Sequence, residues 1–214
     1  MAQQPTLEWA KRYSGEVNAD NFPAVAIAVD ELGNSYVTGT SANKITTVKY
    51  SPSGQQLWVS QLHDISTAAA IALDNKGGVY VTGTNGFYDA TSSDLVTIRY
   101  DAETGQMSWA TYYGNAGDEA KAIAVDNAGG VYVTGTSNKG SSSNFVTLRY
   151  NATTGDQIWV QEHSGSAGAY NFSAALAVDN AGHVYVTGTS SSSSSLDCGY
   201  GGCPNTEFTT VAYN

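Results

Sequence analysis

The sequence predicts an all-β fold, a four-bladed β-propeller of four-stranded antiparallel blades whose ring is closed by the N-terminal strand. Three periodic signals carry this reading. The tryptophans Trp9, Trp58, Trp109 and Trp159 recur at intervals of 49, 51 and 50 residues. The string Tyr-Val-Thr-Gly-Thr stands at 36–40, 80–84, 132–136 and 185–189. An alternating run of small and aliphatic residues ending in aspartate precedes each copy. A tandem unit of about 50 residues with four β-rich segments has the period of a propeller blade.

In order along each repeat, the first strand is Ala-Ile-Ala-Val-Asp at 26–30, Ala-Ile-Ala-Leu-Asp at 70–74, Ala-Ile-Ala-Val-Asp at 122–126 and Ala-Leu-Ala-Val-Asp at 175–179. Its period of two puts the larger aliphatics on one face. A turn follows at 74–78, 126–130 and 179–183, where Asp accepts backbone N–H groups and Gly tolerates positive φ. The second strand is the Tyr-Val-Thr-Gly-Thr string, rich in residues that suit a pleated, half-buried surface. The third is Thr-Thr-Val-Lys-Tyr at 46–50, Val-Thr-Ile-Arg-Tyr at 96–100, Val-Thr-Leu-Arg-Tyr at 146–150 and Thr-Thr-Val-Ala-Tyr at 209–213. A second tight turn at 101–105 and 151–155 leads into the fourth strand, which carries the tryptophan, as in Gln-Leu-Trp-Val-Ser at 56–60.

The fourth repeat stops at Tyr213-Asn214, where its last strand is due, and the segment at 6–13 (Thr-Leu-Glu-Trp-Ala-Lys-Arg-Tyr) has the character of that strand. Placed beside 209–213, it completes the fourth blade and removes an edge that would invite aggregation. The expected organisation is one domain over 1–214, with repeats at approximately 14–63, 64–113, 114–163 and 164–214 and the closing strand at 6–13. The alternatives are part of a larger ring and a strand exchanged between chains.

Composition narrows the function classes. Nineteen acidic against nine basic side chains give a net charge of −10, which repels phosphate backbones, so no nucleic-acid partner is expected. No apolar stretch is long enough to span a bilayer, so no membrane insertion is expected. A chain that is 41% hydrophobic with 14 tyrosines is not a disordered one. The first residues lack a positive region and an apolar core, so the protein is either cytosolic or stripped of its leader. Few lysines and abundant tyrosine, serine and glycine lean towards a secreted or cell-surface protein.

The combination Ala-x-Ala-Val-Asp-x-x-Gly-x-Val-Tyr-Val-Thr-Gly, followed by Thr-x-Arg-Tyr, resembles the bacterial SBBP ("seven-bladed β-propeller") repeat family over nearly the whole chain. The resemblance implies a propeller found mostly in secreted or surface-attached bacterial proteins, with no catalytic residues assigned to the repeat. Here there are about four repeats rather than seven. The segment at 100–109, ending in Trp109, is also similar to the tryptophan-docking motif of quinone-dependent dehydrogenase propellers, where the ring packs between blades. The similarity stops at that motif, so no quinone and no other cofactor is expected.

The repeated residues have structural readings. Trp9, Trp58, Trp109 and Trp159 suit blade packing, with an aromatic ligand platform as the alternative. Asp30, Asp74, Asp126 and Asp179 suit turn hydrogen bonding; the alternative, four carboxylates around a channel cation, needs them in one tight shell, so no metal is assigned. Lys49, Arg99 and Arg149 share one strand position, filled by Ala212 in the fourth copy, and are expected to pair with nearby carboxylates. His163 stands where Tyr13 and Tyr113 follow their tryptophans, and His183 replaces a turn glycine. No catalytic motif occurs, and no catalytic residue is assigned. Cys198 and Cys203 bracket part of the longest insertion and are expected to form a local disulfide, which would imply an oxidising compartment, with free thiols as the alternative.

Meander topology puts the short, near-identical turns on one face of the disc and the divergent loops on the other. The divergent set comprises 41–45, 85–95, 137–145 and 190–208, with 14–23, 64–69, 115–120 and 164–172. This variable face carries Phe22, Phe87, Tyr88, Asp118, Tyr170, Phe172 and Tyr200 as candidate ligand-binding residues, with Asp20, Asp94, Glu119 and Asp197 nearby. Loops on a rigid scaffold are where binding resides, and aromatics among acids suit a carbohydrate or protein partner. The expected function is therefore a non-catalytic extracellular binding or adhesion module. One alternative is a structural unit that assembles into an oligomer or surface filament. Another is a glycan-active enzyme, for which Asp118 and Glu119 are the first carboxylates to test. The competing reading of the aromatics is that they pin long loops to the blades. Asn151-Ala-Thr153 and Asn171-Phe-Ser173 match the glycosylation sequon.

Overall fold

The computed structural model describes residues 4–15, 21–74, 76–86, 93–114, 117–165, 169–191 and 206–214, with 21 and 22 known by backbone alone. The first repeat forms β1 (Asn21–Val29), β2 (Ser35–Ser41), β3 (Lys44–Tyr50) and β4 (Gln56–Gln61). The second forms β5 (Ser66–Leu73), β6 (Gly78–Asn85), β7 (Asp94–Asp101) and β8 (Met107–Tyr113). The third forms β9 (Glu119–Val125), β10 (Gly130–Asn138), β11 (Ser143–Asn151) and β12 (Gln157–His163). The fourth forms β13 (Asn171–Val178), β14 (Val184–Ser191) and β15 (Thr206–Tyr213). Each repeat is an antiparallel meander in sequence order, so the all-β blade architecture read from the repeats is the one observed.

The blades stack in sequence, with first strands side by side in the order β1, β5, β9 and β13. Alternation along each strand gives every blade two apolar faces, and the core lies between blades rather than within them. Between the first two, Tyr36, Ile45 and Trp58 meet Val79, Val81, Val96, Ile98 and Tyr100, all at most 9% exposed. Equivalent clusters join the second blade to the third and the third to the fourth. Burying a single Val or Ile contributes about 1.5–3 kcal/mol, so the blade interfaces outweigh the turn hydrogen bonds in holding the structure together.

Two glycine positions explain why the repeat keeps glycine there. In the second strand, a Cβ on Gly83, Gly135 or Gly188 would come within 2.2 Å of a backbone oxygen of the adjoining first strand. The first-strand register shifts at this point, a bulge that only a residue without a side chain accommodates. In the turn between third and fourth strands, Gly54, Gly105 and Gly155 have φ of 77°, 73° and 77°. A Cβ there would meet the indole of Trp9, Trp58 or Trp109 at 2.7–2.8 Å. These glycines answer both a left-handed backbone and a ring lying against them.

The segment 6–13, expected as a strand beside β15, forms no strand, and β15 has no fourth-strand partner among the described residues. The Trp9 indole N–H donates to the Pro52 carbonyl at 2.9 Å and its ring stands 6.0 Å from that of Tyr50. These contacts seat the indole on the first blade's turn as Trp58 and Trp109 seat on the turns of the blades that follow theirs, the place the tryptophan of a closing fourth strand takes. Closure of the ring is not seen among the described pairings.

Substituting Gly155→Ala introduces both backbone strain and overlap with Trp109, whereas Gly140, at φ 80°, has nothing within 4 Å of the position a Cβ would take. Gly140→Ala should cost about 1 kcal/mol of strain, and Gly155→Ala a further ~1–3 kcal/mol of overpacking. Urea unfolding at equilibrium checks this; equal losses for the two variants would show that the indole contact does not constrain the turn.

Candidate functional site

The turn face is built from a repeated aspartate–tyrosine–cation arrangement. One oxygen of Asp126 accepts the Ala128 and Gly130 N–H groups, and the other accepts the Tyr132 hydroxyl at 2.7 Å. Asp30 and Asp74 do the same with Tyr36 and Tyr80, at 3.0 and 2.8 Å. Asp179 instead receives the His183 ring nitrogen at 2.7 Å, because His183 replaces the glycine of the turn. Each carboxylate is directed into its own turn, and no three His, Cys, Asp or Glu side chains gather as a metal cluster among the described residues.

The cations differ from the sequence expectation. Lys49, Arg99 and Arg149 lie over the rings of Tyr36, Tyr80 and Tyr132 at 5.1, 5.9 and 5.4 Å, and no carboxylate among the described residues is within ion-pair distance of them. The tyrosine ring offers an already buried negative face, whereas the neighbouring aspartate is saturated by N–H and hydroxyl donors. Lys49 also donates to the Ala102 carbonyl of the next blade at 2.7 Å, and the Trp58 indole donates to the same carbonyl at 3.1 Å. Trp109 repeats that bond to Ala152 at 3.1 Å.

Burial alone would raise the Asp126 carboxyl, but the Gly130 N–H, the Tyr132 hydroxyl, the Ala128 N–H and the Arg149 charge together hold it below its ordinary value. Asp30 is likewise depressed: its burial is outweighed by Asn34, Tyr36 and Leu32 donors. The tyrosines move the other way. Burial, reinforced by the Asp126 carboxylate, pushes Tyr132 up to about 12.

Two crevices open between turns of successive blades on this face. One, of about 570 Å³, is lined by Asp30, Tyr36, Lys49, Lys76 and Glu103. The other, of about 520 Å³, is lined by Asp126, Tyr132, Arg149, Asp179 and Asn180. They are the same position in two interfaces, a consequence of the repeat.

On the variable face, the structure brings together Tyr170 and Phe172, whose rings stack at 6.4 Å with planes 9° apart. Phe172 is 47% exposed. Asp118 is 3% exposed, and its carboxylate accepts the Asn138 N–H across the loop at 3.2 Å. Burial pushes this carboxyl above its ordinary value against the opposing effects of Ser137, Asn138 and Lys139. The Phe22 side chain, Phe87, Tyr88, Tyr200, Cys198 and Cys203 lie outside the described residues.

Two features escaped the sequence reading. Asn171 is wholly buried, and its amide donates to the Ser143 and Ser164 carbonyls at 2.8 and 2.9 Å. That burial closes the sequon at Asn171 to glycosylation in the folded state, whereas Asn151 is exposed. Glu162 accepts from Tyr113, Lys139 and Asn144, tying the second and third blades at their loop ends. Neither had a sequence signal: each depends on loops from different repeats meeting in space. Packing of the His163 ring 5.8 Å from Phe145 fits its place as a stand-in for tyrosine.

A family model described as SBBP, β-propeller repeat, matches residues 24–45 and 108–140 and supports assignment of the repeats to that family. No curated protein matches the sequence. Among solved structures, the fold is similar to a protein of unknown function from Bacteroides caccae, with TM-score 0.52 and 11% identity over 81% of this chain. The chain spans 57% of that protein's length. It is also similar to hydrazine synthase from Kuenenia stuttgartiensis (TM-score 0.47, 10% identity, 94% of this chain and 66% of that one). A quinohemoprotein alcohol dehydrogenase from Pseudomonas putida aligns with TM-score 0.46 and 13% identity over 81% of this chain and 40% of that one.

The opposed shifts of Asp126 and Asp118 give opposite pH responses. Asp126, depressed from 3.8, adds stability that is full above pH 3.8 and lost as pH falls through its folded value. Asp118, raised from 3.8, makes the folded state the better proton binder, so its contribution falls as pH rises from 3.8 through its folded value. Urea unfolding from pH 3 to 7 should therefore show Asp118→Asn gaining on the wild type as pH rises through that window, while Asp126→Asn loses ground. The same sign for both variants would contradict the assignment.

Proposed function

We propose that the protein is a non-catalytic binding module, secreted or held at the cell surface, that recognises a carbohydrate or protein through the variable-loop face. The observation that carries this reading is the Tyr170–Phe172 stack. A flat, half-exposed aromatic pair offers the apolar platform that a sugar ring or an apolar protein side chain covers. Its base is rigid. Asn171, between the two aromatics, is buried and bonded to Ser143 and Ser164, and Tyr170 exchanges hydrogen bonds with Ser191 through its backbone. A platform already ordered loses little entropy when its ligand arrives.

The contrast between faces supports the same reading. The turn face repeats one network in blade after blade, its carboxylates occupied by their own turns. The loop face differs at every repeat, and the acidic side chains around it favour polar or basic partners over phosphate-rich ones. In this reading Asp118 supports the loop from below rather than touching the ligand, since its carboxylate is buried.

A glycan array followed by titration calorimetry tests the proposal. Phe172→Ala should weaken binding at least about tenfold, in line with loss of an aromatic contact, without lowering the melting temperature. A blank array together with no protein partner lost on Phe172→Ala would overturn it.

A further inference from the structure

We propose that the crevice between the turns of the first and second blades is a binding site for a neutral sugar, on the face opposite the variable loops. The inference rests on other residues than the loop-face reading and stands independently of it.

The crevice holds about 570 Å³, within the range of roughly 300–1,000 Å³ that small-molecule sites occupy. The turn at 30–34 lines it on one blade, and residues 76–78 and 101–103 line it on the next. Among the lining residues is Lys49, only 8% exposed. An ammonium carries three N–H donors. The Ala102 carbonyl, at 2.7 Å, is the one oxygen that accepts from Lys49 among the described residues. A buried cation with donors to spare calls for acceptor oxygens.

The opposite requirement lies beside it. One oxygen of Asp101 takes the Glu103 and Thr104 N–H groups and the Thr104 hydroxyl, whereas the other accepts from nothing among the described residues. The Thr104 N–H and hydroxyl hold this carboxyl below its ordinary value, so the open oxygen is charged at neutral pH. Glu31 and Glu103 are exposed at the mouth, with no ion-pair partner among the described residues.

These side chains are where the crevice departs from the repeat. Glu31 and Leu32 stand where the other turns have an asparagine followed by Lys76, Ala128 or Ala181. Asp101 and Glu103 stand where the neighbouring blades have Ser51 and Ser53, or Asn151 and Thr153. Lys76 crosses to the Asn127 carbonyl at 2.6 Å, whereas Leu32 is 80% exposed. The departures thus fall on groups that border open space, and the Asp30–Tyr36 bond beneath them keeps the form it has in the next two blades.

The lining decides the class of ligand. An anion is repelled by Asp101, Glu31 and Glu103, and a cation by Lys49. A hydroxyl both accepts and donates, so neighbouring hydroxyls on one ring answer the ammonium and the carboxylates together. Leu32 and Leu73 supply an apolar wall for the C–H face of the same ring.

Nuclear magnetic resonance titration of the full chain with glucose, galactose, mannose and N-acetylglucosamine tests this. At least one sugar should give saturable amide shifts centred on residues 30–34, 49 and 101–103. Asp101→Asn and Leu32→Ala install residues that the third blade already has in Asn151 and Ala128, and Asn151 makes the same turn bonds. Their melting temperatures should therefore match the wild type. Asp101→Asn should weaken binding about tenfold or more, as loss of a hydrogen bond to a charged group does. Leu32→Ala should weaken it about threefold or more through lost apolar contact. Glucuronate and trilysine, as charged controls, should bind at least about tenfold more weakly than the best sugar. No saturable shift from any of the sugars would overturn the inference, as would shifts that neither variant weakens. Tighter binding of trilysine would make the crevice a dock for basic protein segments and overturn it too. Phe172→Ala should leave the shifts unchanged. Sugar binding lost in Phe172→Ala but kept in Asp101→Asn would support the loop-face reading and overturn this one.

Discussion

The indole of a fourth-strand tryptophan lies across the glycine of the next blade's turn and donates its N–H to a carbonyl of the same turn. This contact sets how far apart two blades stand and how they are rotated. The hydrogen bond fixes the ring at its polar end and the left-handed glycine lets the turn approach its apolar face. The third-strand aliphatics then meet the facing tyrosine at packing distance, and burial of both follows. The cation over the tyrosine and the aspartate beneath its hydroxyl are later layers on the same geometry, because they hold a ring whose position the blade spacing has already chosen.

Much of this was legible in the sequence because the repeat states it four times. Alternation, turn chemistry and the tryptophan period each depend on residues close in the chain, so strand order and blade number could be read directly. The turn role of the four aspartates was read in the same way, from Asp and Gly at fixed offsets. The partner of the cations was not, since choosing the Tyr80 ring over Asp74 requires knowing that both carboxylate oxygens are already occupied. The strand expected at 6–13 illustrates a different limit. Its sequence matches a fourth strand and its tryptophan takes the first blade's turn as such a strand's would, but strand character alone does not say which edge a segment joins.

The loop face shows how function can be separated from fold within one repeat. Asn171 and Glu162 lock loops from different blades together by polar contacts at the strands' ends, which leaves Tyr170 and Phe172 as the side chains turned outward. Anchors of this type have no periodic signature, because each is made once, between loops that differ from copy to copy. Asp118 belongs with them: its carboxylate is buried and accepts the Asn138 N–H across the loop.

The interblade contact has a consequence for how such proteins change over generations. The first three blades each offer the same glycine turn to the same tryptophan, so a duplicated or deleted copy meets neighbours it already fits. Unequal recombination within the gene can then alter the number of blades in one step, without a period of misfitting intermediates. Near-identical strand strings beside widely divergent loops suit that route: the joints stay interchangeable while the loops are free to differ.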